Sequence, residues 1–171
     1  MLVRVEANAF LPVYRDAWVH AGNAVDLGVI KLVARDPAIT LIGPAGGTAS
    51  DSLNRIQVVV PPGALTTTVP IQITPIVNRD DMTAPLPDAT VTEYGYELEP
   101  SGTTFAIPVT VRLANWRNAP TSVAIPAAFY DTDRGRWEHV AVATWDGARF
   151  AFQTNHFSPG DANGTRPDDI A

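Results

Sequence analysis

Fifteen prolines and twelve glycines are spread along the whole of this 171-residue chain. Proline locks φ and lacks a backbone donor, and glycine weakens helix and strand interiors alike, so each interrupts regular structure. Between them lie short segments rich in Val, Ile, Thr and aromatic residues, at spacings typical of β-sandwiches. No stretch sustains an apolar i, i+3, i+4 pattern over three helical turns. The pattern predicts an all-β protein with little helix. A composition of 46% hydrophobic and 18% charged residues is too apolar for a disordered tail. No run approaches the roughly 18 consecutive apolar residues of a membrane-spanning helix.

Individual strands follow from period-two alternation. "LVRVEANAF" suggests a first strand, and "DAWVHAG" and "AVDLGVIKLVA" two more, with the turn at Gly22 and Asn23. A shift towards Pro and Gly then places a module boundary near Asp36. Beyond it, Ile56, Val58 and Val60 share one face before Pro61 and Pro62 stop the strand. Val69, Ile71, Ile73 and Ile76 line an apolar face, with Gln72 and Thr74 outward. The loop "NRDDMTAPLPDA" reads as exposed. Two hairpins are visible further on. Asp133-Arg134-Gly135 joins "AAFYD" to "RWEHV", and Asp146-Gly147 is a two-residue turn signal. Tyr130 with Trp137, and Trp145 with Phe150, are expected to pack across them. The predicted architecture is an antiparallel β-sandwich.

Several function classes find no support in the residues. Without cysteine there is neither a disulfide framework nor a thiolate metal site. A net charge of -6 repels phosphate backbones and anionic membranes, so neither nucleic acid nor membrane is expected as partner. His20, His139 and His156 have no metal-ligand spacing, and nothing implies a cofactor. "GPAGGTAS" lacks the lysine and the following helix of a phosphate loop and reads as a β-turn. Glu97 and Glu99 share a strand face, which is ordinary patterning of an exposed strand. Asp161, Asn163 and Thr165 have the 1, 3, 5 spacing of a calcium loop, without the glycine and glutamate that complete one. Residues 159–171 read as a flexible polar tail. Trp116, in the turn-like "ANWRNAP", is the tryptophan expected outside, where it could stack on a sugar ring, and carbohydrate binding is a minor alternative on that ground.

The stretch "IGPAGGTASDSLNRIQVVVPPGALTTTVPIQITPI" resembles the opening of a ZU5 domain, in which a Gly-Gly turn leads into a strand ending in Pro-Pro-Gly-Ala-Leu, here Pro61 to Leu65. "GTTFAIPVTVRL", "FYDTDRGRW" and "TNHFS" follow in the family's order, so the likeness covers residues 37–158. It implies a ZU5-like β-sandwich and a scaffold or interaction role. Such domains occur in ankyrins, in death-domain receptors and in bacterial surface proteins. Residues 1–36 resemble the terminal strands of a carboxypeptidase-regulatory-like, or transthyretin-like, sandwich. They are a remnant or edge of that module, or a strand donor to the ZU5-like unit. Strings of such modules imply a secreted or cell-surface bacterial protein, with neighbouring domains of the same polypeptide or another protein as partners. "HFSPGDANGTRPDD" is similar to the segment before the YD repeats of Rhs-type proteins, with Gly160 and Gly164 where that family has tryptophans.

The tripeptide His156-Phe157-Ser158 therefore has two readings. In some eukaryotic ZU5 relatives, a His-Phe-Ser site cleaves its own backbone. Transferred here, the Ser158 hydroxyl attacks the Phe157 carbonyl, His156 takes the hydroxyl proton, a backbone N–H steadies the oxyanion, and water opens the resulting ester. A fragment beginning at Ser158 would then leave readily. In the other reading Phe157 anchors the last strand in the core, and His156 and Ser158 satisfy the turn before Pro159. The structural reading is the expectation, making the chain a non-catalytic interaction or spacer module.

Overall fold

The computed structural model of the protein describes residues 1–86 and 91–164. Among the described residues, twelve strands are arranged as a small two-stranded sheet and one ten-stranded sheet folded onto itself. The small sheet pairs β1 (Leu2–Val5) with β2 (Val13–Asp16). The large sheet uses β3 (Ile39–Ile42), β4 (Gly47–Ser50), β5 (Ile56–Val60), β6 (Val69–Ile76), β7 (Val91–Glu99) and β8 (Thr104–Leu113). It is completed by β9 (Ile125–Asp131), β10 (Arg136–Trp145), β11 (Phe150–His156) and β12 (Pro159–Gly164). Spatial order is β3-β6-β7-β12-β9-β10-β11-β8-β5-β4, and every neighbouring pair is antiparallel.

One strand makes the corner. Arg136 to Ala143 of β10 pair with β9, whereas Thr144 and Trp145 pair with β11, and the register slips between His139 and Ala141. An irregularity of this kind bends a strand and increases its twist, letting it serve two sheets. The two halves then face each other as the predicted sandwich. Val58, Val111 and Phe152 from one half meet Ile73, Tyr96, Leu98 and Ala127 from the other in a single buried cluster. Tyr94 lies 6.0 Å from Phe150, and Tyr96 6.3 Å from Phe152, ring to ring. The expected cross-hairpin pairs also form, at 5.5 Å for Tyr130 with Trp137 and 5.3 Å for Trp145 with Phe150.

The small sheet covers part of the sandwich's outside. Leu11 packs with Ile76 and Met82, and Tyr14 with Ala84 and Tyr130, so a second apolar layer covers the outer face of β6, β7, β12 and β9. Ile76 therefore faces the opposite side from Ile71 and Ile73, correcting the single apolar face expected of β6. The loop expected to be exposed is so at Asn78, Arg79 and Asp80, but Met82, Thr83 and Ala84 are pinned beneath this cover and buried; residues 87–89 of that loop lie outside the described residues. Gly95 makes that approach feasible, because a Cβ there would sit 2.6 Å from the Met82 sulfur and 2.9 Å from the Ile76 carbonyl oxygen.

Three further expectations are corrected. Strand pairing between "DAWVHAG" and "AVDLGVIKLVA" does not occur, since residues 17–33 contain no strand. Asp146-Gly147 is half of a four-residue connection, with Trp145 paired to Phe150 and the Asp146 carboxylate accepting the amides of Ala148 and Arg149. The segment read as a flexible tail forms β12 as far as Gly164, between β7 and β9. Glycine and small residues suit that slot because the neighbouring aromatic rings fill the space a larger side chain would need. Residues 165–171 lie outside the described residues.

Candidate functional site

β11 ends at His156, whose backbone pairs with Thr104 at the start of β8 after an irregularity following Thr154. The Thr154 hydroxyl donates to the His156 carbonyl at 3.1 Å. Phe157 then turns inward. Its amide donates to the Thr103 carbonyl at 2.8 Å, and its own carbonyl accepts the Gly102 amide at 2.9 Å. Its ring is fully buried, edge-on to Phe105 with centroids 4.8 Å apart and planes at 64°. The chain leaves through half-buried Ser158 into β12.

Two components of an acyl-transfer site are therefore in place. The Phe157 carbonyl already has a backbone N–H donor, that of Gly102. Burial lowers the affinity of His156 for a proton, which favours the neutral imidazole a base requires. The third component is not assembled. The His156 ring stands edge-on to Phe129, centroids 4.4 Å apart and planes at 84°, and Nδ1 lies 3.2 Å from the Asn155 side-chain oxygen. Among the described residues no hydrogen bond links the imidazole to the Ser158 hydroxyl. The Phe157–Ser158 peptide is trans.

The remaining candidates are dispersed. His20 and His139 are exposed and His156 is half-buried, and among the described residues no three His, Asp or Glu side chains are grouped to hold a metal. "GPAGGTAS" includes the turn between β3 and β4, closed by the Gly46 amide on the Gly43 carbonyl. Asp161 is buried in β12, on the same strand as Asn163, and Thr165 lies outside the described residues. Trp116 is not outside. It is half-buried and edge-on to Tyr94 at 4.7 Å, with its indole nitrogen enclosed.

Glu97 is the polar group whose setting the sequence did not reveal. It does share a face with Glu99, but that face is covered, and Glu97 is only 1% exposed. Thr83 donates its hydroxyl to Glu97 Oε2 at 3.2 Å, and the Thr83 carbonyl accepts the Tyr14 amide of β2 at 2.6 Å. Glu99 is held by Arg35, whose Nε lies 2.9 Å from both carboxylate oxygens. Burial, and then repulsion from Glu99, push the Glu97 carboxyl up to about 8, against the opposing pull of Thr83, Arg35 and Arg4. The hint available in the sequence was the pattern "YELE", with glutamates on the face opposite buried Tyr96 and Leu98; what covers that face is a loop 14 positions earlier, at Thr83, and an N-terminal segment more than 60 positions earlier.

No known family model matches the chain, and no curated protein matches it.

Proposed function

We propose that the chain is a non-catalytic, ZU5-like interaction or spacer module of a larger secreted or surface-attached bacterial protein, contacting neighbouring domains of its own polypeptide. The observation that carries this reading is the segment 17–33. Trp18, Val19, Val25 and Val29 are exposed there, Val29 completely. Among the described residues no backbone hydrogen bond ties 24–32 to the rest of the fold. Apart from the Gly28 amide, which donates to the Asp26 carboxylate at 2.8 Å, the backbone groups of 24–32 are available, and such a run with exposed apolar side chains is suited to pairing with another sheet. Lys31 pairs with Asp81 and the Val33 carbonyl accepts the Leu11 amide at 2.8 Å, so the segment is presented from an anchored end. Among the described residues no helix is long and apolar enough to cross a membrane.

Amide hydrogen exchange compares the isolated chain with the longer natural polypeptide. Protection of residues 24–32 is expected only in the longer chain, and equally fast exchange in both overturns the reading. Replacing Val25 and Val29 together by serine is expected to leave the isolated chain's stability within about 0.5 kcal/mol, as for other exposed positions, while abolishing that protection.

Self-cleavage is the second reading, favoured by the Gly102 amide on the Phe157 carbonyl. In it, the C-terminal piece would stay bound, because Pro159 to Gly164 are hydrogen-bonded between two strands; the ready departure expected from the sequence does not follow. Denaturing intact-mass measurement is the appropriate test, since a native sizing column would show one particle either way. After incubation at neutral pH, one full-length species is expected for the wild type and for Ser158→Ala. Two fragments from the wild type, and none from Ser158→Ala, would establish cleavage.

A further inference from the structure

A polar layer lies between the N-terminal hairpin and the sandwich. Register places Thr74 of β6, Glu97 and Glu99 of β7, and Asp161 of β12 on one outer face, since Thr74 pairs with Glu97 and Asp161 with Gly95. Thr74, Thr83, Glu97 and Asp161 are all buried. The route from that face to the hairpin is short: Glu97 accepts from Thr83, and the Thr83 carbonyl accepts from Tyr14 of β2.

The nearby cations are already engaged. Arg35 is committed to Glu99, Arg4 to Glu6, and Arg15 to the carbonyls of Tyr14 and Thr83 at 2.7 and 3.4 Å. The groups facing Glu97 are thus Glu99 on its own strand, its cross-strand partner Thr74 on β6, Asp161 on β12, Thr83 in the covering loop, and Arg4, Tyr14 and Arg35 from the N-terminal segment, with Glu6 paired to Arg4 and Arg15 bound to the Thr83 carbonyl beside them. A neutral Glu97 fits this arrangement. An ionised one adds a negative charge beside Glu99 with no cation left to pair with it, a state that low-dielectric surroundings penalise heavily.

The elements around Glu97 differ in how they can respond. β7 is hydrogen-bonded on both sides, to β6 and β12. The hairpin is a separate two-stranded sheet, held by side-chain packing, by the Tyr14 and Arg15 bonds to the Thr83 carbonyl and, at its connecting loop, by the bonds of Leu11 to Val33 and of Arg35 to Ala9, none of which belongs to the large sheet. Lifting the hairpin admits water to Glu97 without breaking the large sheet. We propose that the hairpin is a proton-gated latch, closed over the outer face while Glu97 is neutral and released when Glu97 ionises. This inference does not depend on the interaction role proposed above.

The sign follows from linkage. Glu97 holds its proton more tightly when covered, up to about 8, than when released, where it returns to its ordinary 4.5. The closed state is favoured at low pH and lost as pH rises. The opening constant should grow about tenfold per pH unit across that window. Hydrogen exchange of the Tyr14 amide reads this directly. Hydroxide catalysis alone gives a rate rising about tenfold per pH unit, so a linked opening should give about a hundredfold per unit at Tyr14 between about pH 5.5 and 7.5, against about tenfold at Val111 in the core of β8. Glu97→Gln, which keeps the shape of the neutral acid, should return Tyr14 to about tenfold per unit. The latch is overturned if wild-type Tyr14 shows only the tenfold rise, if the steeper rise persists in Glu97→Gln, or if Val111 shares it, since the whole fold would then be opening. Should Glu97→Gln fail to fold, carbon NMR titration of the Glu97 carboxyl in the wild type decides: a midpoint raised above 4.5 that coincides with loss of Tyr14 protection supports the latch, and a midpoint near 4.5, or a raised one at which Tyr14 stays protected, overturns it.

Discussion

Replacing Phe157 with alanine is expected to destabilise the protein by about 3–5 kcal/mol, the usual cost of removing a buried aromatic side chain. For a chain of this size that lowers the melting temperature by about 6–20 °C. The ring is fully buried against Phe105, and no nearby side chain can collapse into the space without leaving its own place in the core. Phe157 also lies between two backbone hydrogen bonds, to Thr103 and Gly102, so misplacing it loosens the junction of β8, β11 and β12. His156→Ala removes an edge-on contact with Phe129 and should cost about 0.5–1.5 kcal/mol. Ser158→Ala should fall within about 0.5 kcal/mol. Urea titrations of the three variants test that order. If Ser158→Ala proves the most destabilising of the three, the tripeptide is not a packing anchor.

The parts of the fold legible in the sequence are those governed by local alternation. Ile56, Val58 and Val60 are buried in one row and stop at Pro61, as period two and proline require. The aromatic hairpin pairs are legible for the same reason, because residues flanking a turn must meet. What could not be read depends on partners distant in sequence. Met82 to Ala84 look like loop residues, and it is Leu11 and Tyr14, about 70 positions earlier, that bury them. Residues 24–32 alternate and carry Val25, Val29 and Ile30 yet pair with nothing among the described residues, since a strand needs a neighbouring edge as well as a suitable composition, and Gly28, with positive φ and its amide on the Asp26 carboxylate, turns the chain there.

The candidate site shows the same division. The order His-Phe-Ser, and burial of its phenylalanine, follow from a strand ending at a turn. Whether His156 meets Ser158 is set by the position of Phe129 on β9, across the sheet, which the tripeptide does not encode. Glu97 was legible as one of two carboxylates on a face but not as a buried one, for alternation within a strand tells which residues share a face and not what covers that face. β12 was missed because "PGDANG" has almost no strand propensity. Its conformation is imposed by the two strands on either side of it.

That imposed fit gives the last prediction. An ideal Cβ on Gly160 would lie 2.1 Å from Cε2 of Tyr96, 2.3 Å from Cζ and 2.5 Å from its hydroxyl oxygen. Tyr96 is the cross-strand partner of Gly160, so its ring lies over the glycine and fills the volume a side chain would take. The ring has little room to withdraw, being buried next to Phe152. Gly160→Ala is therefore expected to cost at least the top of the usual overpacking range, about 3 kcal/mol. Taken alone, glycine to alanine in a strand should gain about 0.5–1 kcal/mol by restricting the unfolded chain. The sign of the effect thus depends on Tyr96. In a Tyr96→Ala background, itself less stable by about 3–5 kcal/mol, adding Gly160→Ala should be neutral or stabilising, giving a coupling above about 2 kcal/mol in a double-mutant cycle measured by denaturant unfolding. If Gly160→Ala has the same effect in both backgrounds, the Tyr96 ring does not cover Gly160, and β12 does not sit in the register described.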